Sequence, residues 1–288
     1  MKTDGIFTIH NFNLRFAKYG VPINLSATGD WHYGSTNHDK GDFDRALEKS
    51  HKEKAYLIGL GDYTDLMSTS ERFNFSQAKL HDQTAVKIDA MVTETVTELA
   101  KKVKDAYEDR IIGLGGGNHY HVFQSGTTSD QLLCKLLECK YTGACSLTRM
   151  VFDYDSNPLS SLKYDIATHH GLGGGRKPGT SINKLVDMAN FINADALFMG
   201  HDHQRIATFL NRIELSQSGE IAQRRILIGR TGSFLKVYNE GEPSYAVDAL
   251  YPPSDLGMLR FKIIPTRTHK NENGVSKDRR WLHAEVSI

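Results

Sequence analysis

Residues 197–204 read LFMGHDHQ: a short apolar run, a glycine, and then two histidines separated by one residue. Side chains alternate along extended backbone, so His201 and His203 would project to the same side just beyond the end of a buried strand. A lone His-x-His is common in surface loops. Its meaning here depends on whether comparable residues stand at other strand ends. Upstream, SATGDWH (26–32) closes an apolar run with Asp30 and His32 at the same spacing, and LIGLGDYTD (57–65) closes another with Asp62 and Asp65. IIGLGGGNH (111–119) ends on Asn118 and His119, and YDIATHHG (164–171) on His169 and His170. Gly-Asp and Gly-Asn are ordinary turns taken singly. Five such endings, each after an apolar run, point instead to a metal site built from oxygen and imidazole donors. Ligands at the ends of successive strands of one sheet would converge in space.

The rest of the chain alternates strands with helices. Residues 21–30 read as a strand, 43–54 as a helix and 55–62 as a second strand. From Gln83 to Tyr107, Val92, Val96, Leu99, Val103 and Tyr107 recur at helical spacing, which predicts a long amphipathic helix. Residues 110–119 read as strand then loop, 129–138 as a helix capped by Ser129, 164–171 as a strand, and roughly 181–192 as a helix. Beyond His203 come short strand-like runs such as RRILIGR, SFLKVY and MLRFKIIPTR. This order predicts an α/β fold with two sheets and helices outside them, in one domain spanning 1–288. The polar stretch 269–280 reads as a mobile loop before a last strand.

Composition narrows the classes. Lys and Arg number 35 against 34 Asp and Glu, so no global field recruits nucleic acid or membrane, and any anion attraction must be local. No run approaches the ~20 apolar residues of a membrane span. Cys134, Cys139 and Cys145 lack a C-x-x-C spacing and read as reduced thiols, which with the missing signal peptide predicts a cytoplasmic protein.

The series Asp-x-His, Gly-Asp-x-x-Asp, Gly-Asn-His, His, Gly-His-x-His, over residues 22–205, resembles the calcineurin-like metallophosphoesterases. The resemblance implies a four-layer α/β/β/α sandwich of two mixed sheets with a two-metal centre. It implies that Asp30, His32 and His203 hold one ion, that Asn118, His169 and His201 hold the other, and that Asp62 bridges them. His169 is taken over His170 because the family's ligand directly follows the strand. The resemblance also places the catalytic histidine at His119, steadied by Asp65. Two features depart from the protein serine/threonine phosphatase branch. Leu66 and Met67 stand where that branch has Arg-Gly, and Tyr120 stands where it has an acid.

The donor set agrees with this. Oxygen and imidazole without thiolate suit Mn²⁺ first, with Fe or Zn²⁺ as alternatives. Two divalent ions against two carboxylates leave a cationic site that favours a phosphate ester. The expected function is therefore two-metal hydrolysis of phosphate esters, by a phosphodiesterase or nuclease acting on nucleotides or short single-stranded nucleic acid. A phosphomonoesterase is the alternative within enzymes, and a non-catalytic metal-binding scaffold the alternative outside them. GLGGGRKPGT (171–180) offers glycine amides, a helix N-terminus, Arg176 and Lys177 to a substrate phosphate. The stretch 67–77, with Arg72, Phe73 and Phe75, reads as a polar loop pinned by two aromatics. The basic run around 260–280 reads as a solvated strand face, and His10, His38, His51, His81 and His121 are assigned nothing.

Overall fold

Apolar side chains on both faces of the central strands dictate the layering. A computed structural model describes residues 7–66, 82–172, 177–215, 219–238, 252–272 and 275–287. One sheet has the order β12 (Val275–Ser287), β11 (Leu259–Glu272), β2 (Ile23–Thr28), β3 (Tyr56–Gly59), β4 (Ile111–Gly115), β5 (Tyr141–Gly143). The other runs β1 (Thr8–Phe16), β6 (Cys145–Tyr154), β7 (Asn157–His169), β8 (Ala196–Met199), β10 (Ile221–Thr231), β9 (Arg205–Leu215). Both sheets are mixed. Strands β2 to β5 are parallel with β11 antiparallel to β2, while β7, β8 and β10 are parallel with β9 antiparallel to β10.

Between the sheets, Leu25, Ala27 and Ile58 of the first meet Phe152, Ile166, Phe198 and Leu227 of the second, all buried. On the outer face of the first sheet lie α1 (Lys40–Lys52), α2 (Asp82–Tyr107) and α3 (Ser129–Leu136). The stripe expected on α2 is what packs: Val92, Val96, Leu99, Val103 and Tyr107 are fully buried against Leu57 and Leu114. Each such side chain contributes about 1.5–3 kcal/mol on removal from water, an upper figure because the unfolded chain is already partly compact. On the far side, Leu185 and Met188 of α4 (Pro178–Phe191) cover Ala167, Leu197 and Ile228. The layers are α/β/β/α, as expected.

Several local expectations change. The described residues of 269–280 are strand and not loop. β11 runs to Glu272 and β12 begins at Val275, with His269 opposite Asp278 and Arg267 held to Asp278 at 2.8 Å. Cross-strand ion pairs replace the apolar alternation that would have marked them as strand. Thr128, not Ser129, caps α3, its hydroxyl accepting from Gln131 N–H while the Gln131 side chain accepts from Thr128 N–H. The stretch 67–77 and His81 lie outside the described residues. Among the described residues no helix is long and apolar enough to cross a membrane.

Candidate metal centre

The chemistry-bearing loops follow β2, β3 and β4 of one sheet and β7 and β8 of the other, so they converge from two sheets and not from one. Parallel order aims all five strand ends at one edge of the sandwich. The backbone there is unusual. Asp30, His32, Asp62, His201 and His203 have φ between 47° and 76°, and they are five of the eight non-glycine residues with positive φ among those described. Each left-handed L-residue costs about 1–2 kcal/mol, so the fold spends strain where the motifs stand.

Backbone hydrogen bonds hold these loops together. The β2 and β3 loops stay zipped past the strands, with Asp30 N–H on Gly61 O at 2.9 Å and His32 N–H on Asp62 O at 3.0 Å. Asp62 Oδ1 accepts the N–H groups of Asn118 and His119, both at 2.7 Å. Gly117 makes that approach possible: a Cβ there would lie 2.0 Å from Asp62 Oδ1. Across the sheets, Asp30 Oδ2 accepts His201 N–H at 2.8 Å.

Three groups of side chains result, each with donor atoms within 4.8 Å of one another: Asp30, His32 and His203; Asp62, His170 and His201; and His32, Asp65 and His119. His32 Nε2 faces His203 Nε2 at 3.3 Å. His170 Nε2 lies 2.8 Å from Asn118 Oδ1, 3.1 Å from Asp62 Oδ2 and 3.3 Å from His201 Nδ1. Asp30 is wholly buried, yet among the described residues its Oδ1 finds no hydrogen-bond partner; His203 Nε2 lies 3.5 Å away. A buried carboxylate oxygen left over, beside imidazole nitrogens that face one another, is what a cation would satisfy. The donor set therefore fits divalent metal ions.

The electrostatics agree. Burial opposes charge on His203 and His170, but Asp30 outweighs it at His203, and Asp62 with Asp30 pushes His170 up to about 9. Both shifts have one cause, imidazoles set against two buried carboxylates. Burial lowers His32 and His201, keeping them as neutral donors. Burial also works against ionised Asp65, yet His119 and His32 hold it well below the usual carboxylate range.

His170, and not the expected His169, enters the centre. Tyr164 and Ile166 of β7 face the core between the sheets, and continuing that alternation brings His170 to the same side. His169 shares the face of Ala167, which packs under α4, and its Nδ1 accepts Gly171 N–H at 2.8 Å. The larger apolar residues at even positions of YDIATHHG were the available signal. Asp30, His32, Asp62, Asn118, His201 and His203 all converge. His119 Nδ1 and His32 Nδ1 both lie 3.1 Å from Asp65 Oδ2, so the pair His119 and Asp65 is in place beside the first group.

Sequence reasoning overlooked two supports. Asp130, fully buried, accepts Gly117 N–H at 3.1 Å and so holds the Asn118 loop from below. Arg230, 1% exposed, donates to Gly200 O at 2.7 Å and to Ser181 O at 3.1 Å, fixing the His201 loop against α4. Neither carries a motif, since an acid in a helix's first turn and an arginine in a strand are commonplace. Lys177 is the N-cap of α4 and exposed; Arg176 lies outside the described residues. The start of α4 packs against the His201 loop, because Ser181 Oγ donates to Asp202.

No protein-family model matches the sequence, and no curated protein matches it. A structural resemblance exists to a conserved uncharacterized protein of Streptococcus pneumoniae TIGR4 described as a predicted phosphoesterase. The identity is 14%, over 90% of this chain and 98% of that one, with a TM-score of 0.33. At that level the likeness bears on neither fold nor chemistry. The layered fold and the His/Asp groups able to hold metal ions stand on this chain's own geometry.

Proposed function

We propose that this chain is a metal-dependent phosphoesterase of the calcineurin-like type, acting on phosphodiesters of nucleotides or short single-stranded nucleic acid. The observation that carries the reading is two adjoining His/carboxylate groups with a His119–Asp65 pair against one of them. Asp30, His32 and His203 would hold one divalent ion; Asn118, His170 and His201 would hold a second, with Asp62 between them. Mn²⁺ is the first choice, with Fe or Zn²⁺ as alternatives. When bound, such ions supply Lewis acidity and positive charge toward phosphoryl oxygens.

The chain's own residues do the rest. Asp62 Oδ1, by accepting two amides, fixes the backbone that carries Asn118 toward His170 and His201 and His119 toward Asp65. Asp65 faces His119 Nδ1, which leaves Nε2 to give a proton to the leaving oxygen. Arg176 and Lys177, at the entry to α4, are proposed to hold the substrate phosphate beside the helix N-terminus. Every expected ligand type is filled, which favours an enzyme over a non-catalytic scaffold.

Metal analysis of purified Asp62→Asn and His203→Ala, with circular dichroism to confirm folding, tests the shared role of Asp62. Asp62→Asn should lose both ions, His203→Ala chiefly one. Two ions retained by Asp62→Asn at wild-type affinity would refute it.

A further inference from the structure

Where β12 meets β7, residues of β7, β9, β10, β11 and β12 line a groove of about 1020 Å³. Its floor is at Tyr164 and Asp195, each six residues before a residue of the centre, His170 and His201. At about 3.3 Å per residue this sets the groove roughly 20 Å from the metals.

Its lining is strongly cationic. Five Lys or Arg residues line it against one acid, Asp195, in a chain whose net charge is only +1. Among the described residues Arg224 pairs with Asp195 at 2.9 Å and Arg280 with Asp278 at 2.6 Å. Lys163 on β7, Arg225 on β10 and Arg279 on β12 have no carboxylate partner among the described residues. Aromatic faces alternate with these cations. The Arg225 guanidinium lies 4.0 Å over the Phe209 ring, which fixes its direction, and Trp281 stands on β12, 36% exposed. The basic run read from the sequence as a merely solvated strand face thus forms one wall of a concave, aromatic-bearing site.

We propose that this groove binds single-stranded nucleic acid, with Arg225 and Arg279 on phosphates and a base stacked on Trp281. Cations interleaved with exposed aromatic rings are the chemistry that single strands require. The volume is at the upper end of the ~300–1,000 Å³ that houses one small molecule, which favours a short segment over a mononucleotide. A duplex would need more cations than a near-neutral chain presents on one face.

The test is fluorescence anisotropy with a labelled oligothymidylate of about twelve nucleotides, within the range such sites cover, on the full chain in excess chelator. Removing ions keeps the probe intact and makes the result independent of whether the metal centre hydrolyses anything. The wild type should bind. Arg225→Ala with Arg279→Ala should weaken binding about tenfold or more, and flatten the log–log salt slope by about 1.4, at roughly 0.7 for each phosphate no longer neutralised. Trp281→Ala should weaken it by about 5- to 100-fold and Trp281→Phe should restore most of it. Trp31 is fully buried and the chain has two tryptophans, so fluorescence quenching by unlabelled oligonucleotide reports on Trp281. Unchanged affinity in the double variant would overturn the proposal. So would a harmless Trp281→Ala with inorganic polyphosphate competing as well as oligonucleotide, or binding abolished by chelation alone.

Discussion

Asp130→Asn should make the metal-free protein more stable, by an amount that grows with pH. Asp130 is wholly buried at the start of α3, and one of its oxygens accepts Gly117 N–H. Burial pushes its pKa up to about 7, Gly117 N–H opposing and the nearby Asp62 charge adding to the rise. Against an ordinary value of 3.8, a rise of about 3 units at 1.36 kcal/mol each sets about 4 kcal/mol against the ionised folded form. The folded chain keeps its proton between pH 3.8 and about 7 while the unfolded chain has lost it. Stability therefore falls as pH rises through that window, and the penalty is complete above it. At pH 5 about 1.6 kcal/mol is already present, so the remaining increment to pH 8 is about 2–3 kcal/mol. Asparagine keeps a carbonyl oxygen for Gly117 N–H and carries no charge, and any misfit of its amide is the same at both pH values. Urea unfolding of both proteins in chelator, at pH 5 and pH 8, should show the variant's advantage growing by that increment. An equal difference at the two pH values, or one shrinking toward pH 8, would refute the reasoning.

Two further predictions concern the centre itself. His119→Ala should keep its metals but lose about 10²–10⁴-fold in kcat, and Asp65→Asn should lose less. The loss should shrink for nitrophenyl esters, whose leaving group needs little protonation, and equal losses for good and poor leaving groups would remove His119 from the acid role. Gly117→Ala would set a Cβ 2.0 Å from Asp62 Oδ1, forcing the Asn118 loop away at a cost typical of overpacking, about 1–3 kcal/mol. Calorimetric titration with Mn²⁺ should then show the Asp62–His170–His201 group weakened more than the Asp30–His32–His203 group, whereas an unchanged isotherm would contradict the packing argument.

Much of this geometry could be read from residue order because the site sits where strands end. Gly-Asp, Gly-Asn and Gly-His after apolar runs mark strand termini, and parallel strands bring such termini together whatever their neighbours do. Which sheet each strand joins was not legible: β7 and β8 carry the same pattern as β2 and β3 and sit in the other sheet. Adjacency to the strand points to His169, whereas alternation along β7 brings His170 into the Asp62–His201 group. The hairpin of β6 and β7 was missed in part because Ser146 and Thr148 of β6 are buried, satisfied across strands as in the 2.7 Å bond between Ser146 and Thr168, so polarity there does not report exposure. The β11–β12 extension was read as a loop because its order comes from pairs such as Arg267 with Asp278, which leave no apolar period.

The most direct measurement is hydrolysis of bis(p-nitrophenyl) phosphate by chelated protein, followed as Mn²⁺ is returned with bound metal quantified in parallel. Chelation should abolish turnover, and turnover should return as the second equivalent binds, because the Asp30–His32–His203 and Asp62–His170–His201 groups adjoin and are proposed to act on one phosphate. Undiminished turnover without metal, or a fully loaded protein inert toward this diester and toward phosphate monoesters alike, would contradict the account.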